Sequence, residues 1–185
     1  MSDAVFQEAE QKMNNAVDAL KREFAKLRVG KATPTLLDGI KAEAYGSATP
    51  LNQLSTIGAP EPRLLVVQPW DKSLIGAIEK AIRASDLGLN PSNDGQVIRV
   101  PIPALTEERR KELVKVAKTY AEEGRVGVRN VRREANDALK KEHKAGDLTE
   151  DEEKKAHDKI QELTNKFVNE IDTTLSSKEK EILEI

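Results

Sequence analysis

Four arginines, Arg125, Arg129, Arg132 and Arg133, fall within nine positions of one stretch, RVGVRNVRR. A guanidinium is a planar fork whose donors match the oxygens of a phosphate or carboxylate, so a cluster of them is chemistry for holding an anion. At about 100° per residue in a helix, all four fall within about 100° of arc and share a face. Lys111, Lys115, Lys118 and Lys140 extend the same sector, in which Glu122 is the one acidic member. Like charges one helical turn apart repel, so this clustering costs stability unless a partner compensates. Two kinds of partner fit. Either the face is solvated and pairs with an acidic neighbouring helix, or it binds phosphates. Aromatic residues make up only 3% of the chain and none interrupts the stripe, which favours contact with the backbone of folded or duplex RNA over stacking on bases.

Other chemistries find little support. The chain has no cysteine, which excludes disulfides, thiolate metal sites and a cysteine nucleophile. Phosphate-loop, dinucleotide-binding, zinc-protease, serine-elbow and CxxC patterns do not occur. The two histidines, His143 and His157, lie on polar faces of helical segments and read as surface residues. Trp70-Asp71 follows an apolar strand, a place where α/β enzymes put catalytic carboxylates, but Asp71 equally suits a cap on a helix opening near Lys72. LGLNPSNDG, residues 87–95, could be a binding loop, and its composition is also that of ordinary turns. We therefore expect no catalytic residue, no metal ligand and no cofactor.

The elements that carry the arginines follow from apolar periodicity. Residues 3–29 place Val5, Ala9, Met13, Ala16, Leu20, Phe24 and Leu27 at spacings of four and three, the seam of a bundle helix, and VGKATP ends it. A second helix opens after VPIPALTEERR, where prolines block helix, Thr106 can cap and Glu107 and Glu108 suit the positive N-terminal end. It runs to about Ala145, where Gly146 closes it, and at about 1.5 Å per residue it is near 60 Å long. Its seam is Leu113, Ala117, Tyr120, Gly124, Val128, Val131, Ala135 and Leu139. Gly124 and Gly127 each cost roughly 1 kcal/mol relative to alanine in a helix, so close helix approach is the expected reason for them. Thr149 and Glu152 form a capping-box pattern that opens a third helix, with Ala156, Ile160, Leu163, Phe167, Ile171, Leu175 and Ile182 on its seam. Residues 105–146 carry 12 basic and 8 acidic residues and residues 147–185 carry 6 and 12, so the net charge of −2 conceals a basic helix beside an acidic one.

Residues 31–104 differ in character. LLDGIKAEAYG and RLLVVQP have strand-like apolar content, KSLIGAIEKAIRA reads as a helix, NPSNDG as a turn and QVIRVPI as a strand. The fold class is α+β: residues 1–30 and 105–185 form an elongated three-helix bundle, and residues 31–104 are a small α/β domain inserted into it. The two connectors, marked by Gly30, Thr33 and Pro34 and by Pro101, Pro103, Ala104 and Leu105, run side by side and are expected to hinge. No apolar run approaches the ~20 residues a spanning helix needs, and no leader pattern precedes the first helix. A soluble, cytoplasmic monomer without membrane association is expected.

LRVGKATPTLLDGI, YGSATPLNQLSTI, IEKAIRASDLGLNPSNDGQVIRVPIPALTEERRKEL and VGVRNVRREANDALKK resemble the bacterial ribosome recycling factors in order and spacing, over essentially the whole chain. The resemblance implies an L-shaped molecule: a three-helix bundle made of the chain's two ends, and a β/α/β domain on a flexible double linker. It implies binding to the post-termination ribosome and, with elongation factor G and GTP hydrolysis by that partner, splitting into subunits for re-initiation. It also implies that the bundle lies across the subunit interface on the large subunit, with arginines of the long helix on its ribosomal RNA. Arg132 matches the family arginine most closely tied to activity, with Arg129 and Arg133 beside it, and Arg28 and Lys31 match a basic pair at the end of helix one. Together with Lys118 and Arg125 of the stripe, these are the candidate RNA contacts. The chain departs from the family pattern in having Lys31 where arginine is common, and Gly124 and Gly127 where alanine is usual. Two rivals stand beside this reading: an interaction protein whose stripe meets acidic protein, and an enzyme centred on Asp71 and the 87–95 loop.

Overall fold

The structure, a computed structural model, describes residues 2–27 and 29–184. Its α-helices are α1 (Ser2–Lys26), α2 (Ile75–Ala84), α3 (Glu107–Lys144) and α4 (Glu150–Leu183). Its strands are β1 (Lys41–Ala44), β2 (Ser47–Pro50), β3 (Ser55–Glu61), β4 (Leu64–Pro69), β5 (Ser92–Asn93) and β6 (Ile98–Pro101). The chain divides into two compact units, one of α1 with Glu107–Glu184, the other Val29–Thr106.

In the first unit each long helix buries one stripe. Ala9, Met13, Val17, Leu20 and Phe24 of α1 meet Leu113, Ala117, Ala121, Val128, Ala135 and Leu139 of α3 and Ile160, Leu163, Phe167, Ile171, Leu175 and Ile182 of α4 in one core. Thr164 is buried among them, and its hydroxyl is satisfied by donating to the Ile160 carbonyl at 2.8 Å. Such i−4 back-bonding removes the cost of burying a hydroxyl without a partner. α1 stops at Lys26, earlier than its periodicity suggests, because Leu27 N closes a tighter turn onto Phe24 O at 3.1 Å.

The glycines of α3 correct one expectation. A Cβ built on Gly124 lies 3.4 Å from Ile171 Cδ1 and 3.7 Å from Leu20 Cδ2, and one on Gly127 lies 3.7 Å from Ala16 Cβ. These are ordinary van der Waals separations, so the helices do not approach closely enough to require glycine at either position. The α3–α4 corner behaves as read from sequence. Gly146 adopts φ +84°, and Asp147 N and Gly146 N donate to the carbonyls of Glu142 and His143, each at 3.0 Å. Thr149 Oγ1 then accepts from Glu152 N at 3.3 Å while Glu152 Oε2 accepts from Thr149 N at 2.8 Å, completing the capping box. The Thr149 backbone N–H, and then its hydroxyl, hold the Glu152 carboxyl below its ordinary value.

The second unit is richer in strand than its sequence announces. β1 and β2 form a hairpin, and β3, β4, β6 and β5 form a four-stranded sheet in that order, antiparallel throughout. β2 and β3 were not expected; SATP and STIGAPE carry too much Ser, Gly and Pro to announce strands, and pairing with β1 and β4 supplies what propensity lacks. In β4, whose continuous apolar run suits a buried strand, Leu65, Val67 and Pro69 are buried while Leu64 and Val66 are half-buried and Gln68 is exposed. Its buried face meets Ile78 and Ile82 of α2, together with Leu37, Leu51, Ile98 and Val100.

Candidate nucleic-acid interface

α3 and α4 run antiparallel, and the polar pairs across their seam read like rungs. Lys118 Nζ lies 3.9 Å from Glu179, Arg125 meets Asp172, Arg132 meets Gln161, and Asn136 meets His157. This ladder decides how the acidic helix treats each arginine.

Arg125 is drawn into the seam. Its Nε and Nη2 donate to Asp172 Oδ1 at 2.8 and 2.6 Å, and its Nη1 donates to Glu122 Oε2 at 3.1 Å, leaving the side chain 19% exposed. Burial pushes its guanidinium down, but the bonds to Asp172 and Glu122 outweigh that and raise it above its ordinary value. Arg129 is 44% exposed, and its Nη1 reaches Glu122 Oε1 at 3.4 Å. One carboxylate thus bridges two arginines.

One turn further the pattern changes. Arg132 Nη1 donates to the amide oxygen of Gln161 at 3.3 Å, and Gln161 Nε2 donates onward to Asn165 at 2.9 Å. Arg133 points to solvent. Among the described residues neither Arg132 nor Arg133 has a carboxylate partner. α4 carries most of the acidic residues of 147–185, yet what it sets against Arg132 is the neutral amide of Gln161, itself bonded to Asn165. Pairing with the acidic helix, the alternative open at the level of sequence, therefore accounts for Arg125 and Lys118 and not for Arg132 and Arg133. Glu122 stands out in the sequence as the one acid of the basic sector, whereas Asp172 and Gln161 were not singled out there. A signal existed for Asp172, since an antiparallel hairpin that sets 118 opposite 179 sets 125 opposite 172.

The remaining candidates are scattered. Lys31 is exposed in the second unit, and Arg28 lies outside the described residues. The connectors are partly anchored. Ala32 N donates to Pro62 O at 2.7 Å and Ile102 N to Arg63 O at 2.8 Å, so both are fastened to the β3–β4 turn. Thr33 flanks a short turn begun by Pro34, and Pro101 pairs with Leu64 inside the sheet. Gly30, Pro103, Ala104 and Leu105 lie outside these anchors. Gly30 has φ +75°, and a Cβ there would sit 3.0 Å from Leu105 Cγ, so this crossing accepts only glycine without strain.

The sites that could have suggested an enzyme have local explanations. Asp71 Oδ1 accepts from Ser73 N and Oγ at 2.9 and 2.7 Å, and Oδ2 accepts from the Tyr45 hydroxyl at 2.5 Å, so both oxygens are engaged in capping and anchoring. Trp70 Nε1 donates to Thr56 Oγ1 at 3.0 Å. In the 87–95 loop Asp94 accepts from Gln96 N, Val97 N and Arg99, which closes the turn and holds its carboxyl well below the ordinary value. His143 donates from Nδ1 to Leu148 O at 2.9 Å, and His157 Nε2 lies 3.2 Å from Glu153, fastening the start of α4. Among the described residues no group of three or more His, Asp or Glu is placed to hold a metal ion, and no helix is long and apolar enough to cross a membrane.

Known proteins show the same layout. A family model described as "Ribosome recycling factor" matches residues 20–183. The ribosome-recycling factor of Clostridioides difficile (strain 630) is 57% identical over 181 residues, covering 98% of each chain. That of Bacillus subtilis (strain 168) is 56% identical over 185 residues, covering 100% of each. A solution structure of the ribosome recycling factor aligns over 100% of this chain and 98% of its own, with 46% identity and a TM-score of 0.71. The Thermus-derived factor in models for the T. thermophilus ribosome recycling factor and E. coli elongation factor G bound to the E. coli post-termination complex aligns over 99% of each chain, with 50% identity and a TM-score of 0.62. The three-helix bundle with its inserted sheet unit, the arginine face on α3 and the match along nearly the full chain together place this protein in the ribosome recycling factor family.

Proposed function

We propose that this chain binds the post-termination ribosome in the cytoplasm and, with elongation factor G and GTP hydrolysis by that partner, splits it into subunits. The chain performs no bond chemistry of its own. Its part is mechanical: the α3 face grips large-subunit ribosomal RNA, and a helix of 38 residues, packed along two others, is stiff enough to transmit displacement. The observation that carries this reading is the partition of the arginines. Among the described residues Arg132 and Arg133 are the two of the four with no carboxylate partner from either α3 or α4, and a clustered pair of guanidiniums without one is costly unless an anion arrives. Arg129 joins them at the edge of the site, and Arg125 and Lys118 set its flank.

Movement of the inserted unit enters through the connectors. We place the hinge at Gly30 and at Pro103, Ala104 and Leu105, with Thr33, Pro34 and Pro101 as the fixed ends against which they turn. Binding to isolated large subunits between 50 and 200 mM salt tests the grip. Arg132→Ala and Arg133→Ala are each expected to weaken it and to lower the log–log salt slope by about one unit, since each removes one phosphate contact. Binding of both variants at the native affinity and slope would contradict the proposal.

A further inference from the structure

Glu122 is the acidic residue inside the basic sector, and it bridges two of its arginines, taking Arg125 at 3.1 Å on one oxygen and Arg129 at 3.4 Å on the other. The two links are unequal. Arg125 is also gripped from α4 by Asp172 through two guanidinium nitrogens and is 19% exposed. Arg129 is 44% exposed and is held by Glu122 through a single nitrogen at the long limit of a hydrogen bond. A phosphate reaching this face can therefore capture Arg129, while Arg125 stays with Asp172.

We infer that Glu122 is a positioning residue that sets how many arginines the face offers to RNA: it keeps Arg129 neutralised until a correctly placed phosphate displaces it. RNA of arbitrary structure then meets Arg132 and Arg133, and the matching surface recruits Arg129 as a third. Each phosphate neutralised by a cation releases counterions and adds about 0.9 to the salt slope. A carboxylate competing for the same guanidinium withholds that contribution from loosely fitting RNA. This inference rests on the phosphate-grip reading above, and deepens it from which residues bind to how they discriminate.

The test is binding of the full chain to a mixed-sequence RNA duplex and to large ribosomal subunits, from 50 to 200 mM salt, for the native protein, Glu122→Gln, Glu123→Gln and Arg132→Ala. Glu123 is the exposed neighbour outside the network, so its substitution makes the same charge change without releasing an arginine. Glu122→Gln is expected to bind the duplex more tightly, with a slope about one unit steeper, so that its advantage over the native chain grows about 3.5-fold as salt falls from 200 to 50 mM. Its gain on large subunits is expected to be smaller, and Glu123→Gln should keep the native slope. Equal slopes for the two glutamine variants, with Arg132→Ala still impaired, would overturn the role of Glu122 alone and leave net charge as the cause. Native-strength binding of both RNAs by Arg132→Ala would overturn the phosphate grip itself, and this inference with it.

Discussion

The bundle and the inserted unit use charge and length in opposite ways. The bundle is built from helices of 25, 38 and 34 residues and segregates its charge, basic on α3 and acidic on α4. The inserted unit balances 7 basic against 7 acidic residues over 31–104 and is assembled from strands of two to seven residues joined by side-chain-closed turns. A surface that must hold an extended polyanion needs a rigid element with surplus charge on one side. The inserted unit, which the proposed hinge would let move as a body, is instead closed locally by Asp71, Asp94 and the hydrogen bonds of Ala32 and Ile102 to one turn.

The sharpest way to break this comparison is to damage one core and ask whether the other notices. Ile171 is fully buried in the bundle, and Ile171→Ala is expected to cost about 2–5 kcal/mol. Far-ultraviolet circular dichroism reads chiefly the long helices, whereas the chain's single tryptophan, Trp70, lies in the inserted unit. The dichroism midpoint in urea should fall while the fluorescence midpoint stays. Coincident shifts of both signals would show one cooperative unit and remove the contrast.

A smaller effect of opposite sign tests the packing of α3. Gly124→Ala and Gly127→Ala should each stabilise the bundle by about 1 kcal/mol, because a methyl fits at both positions and helix propensity improves. Destabilisation by either would mean that the helices do need the closer approach. Least in size is the acid response of the α4 cap. The Glu152 carboxyl lies below its ordinary value when folded, so its stabilisation is complete above the ordinary carboxylate range and is lost as pH falls through the lowered value. Glu152→Gln should flatten the loss of bundle stability between about pH 5 and pH 3 and leave the Trp70 transition alone; an unchanged acid profile would contradict it.

The same contrast governs how much could be read from the sequence. Long helices repeat their seam often enough that stray residues do not obscure it, so α3, its acidic first turn and the capping box of α4 were legible. Strands of two to seven residues offer no such redundancy, and β2, β3 and β5 are held as strands by pairing with the neighbouring β1, β4 and β6 rather than by a pattern of their own. The arginine face was legible as a face but not in its division. Arg125 and Arg132 look alike in sequence, and what separates them is Asp172 opposite one and Gln161 opposite the other. The glycines of α3 misled because their cost is visible locally whereas the space around them is set by α1 and α4.

The central claim, that the unpaired arginines are the grip through which this chain splits ribosomes, is tested most directly by light scattering from post-termination ribosomes mixed with elongation factor G and GTP. Scattering should fall with the native chain and barely change with Arg132→Ala, whose circular dichroism should match the native spectrum. A folded Arg132→Ala that splits ribosomes at the native rate would contradict the claim.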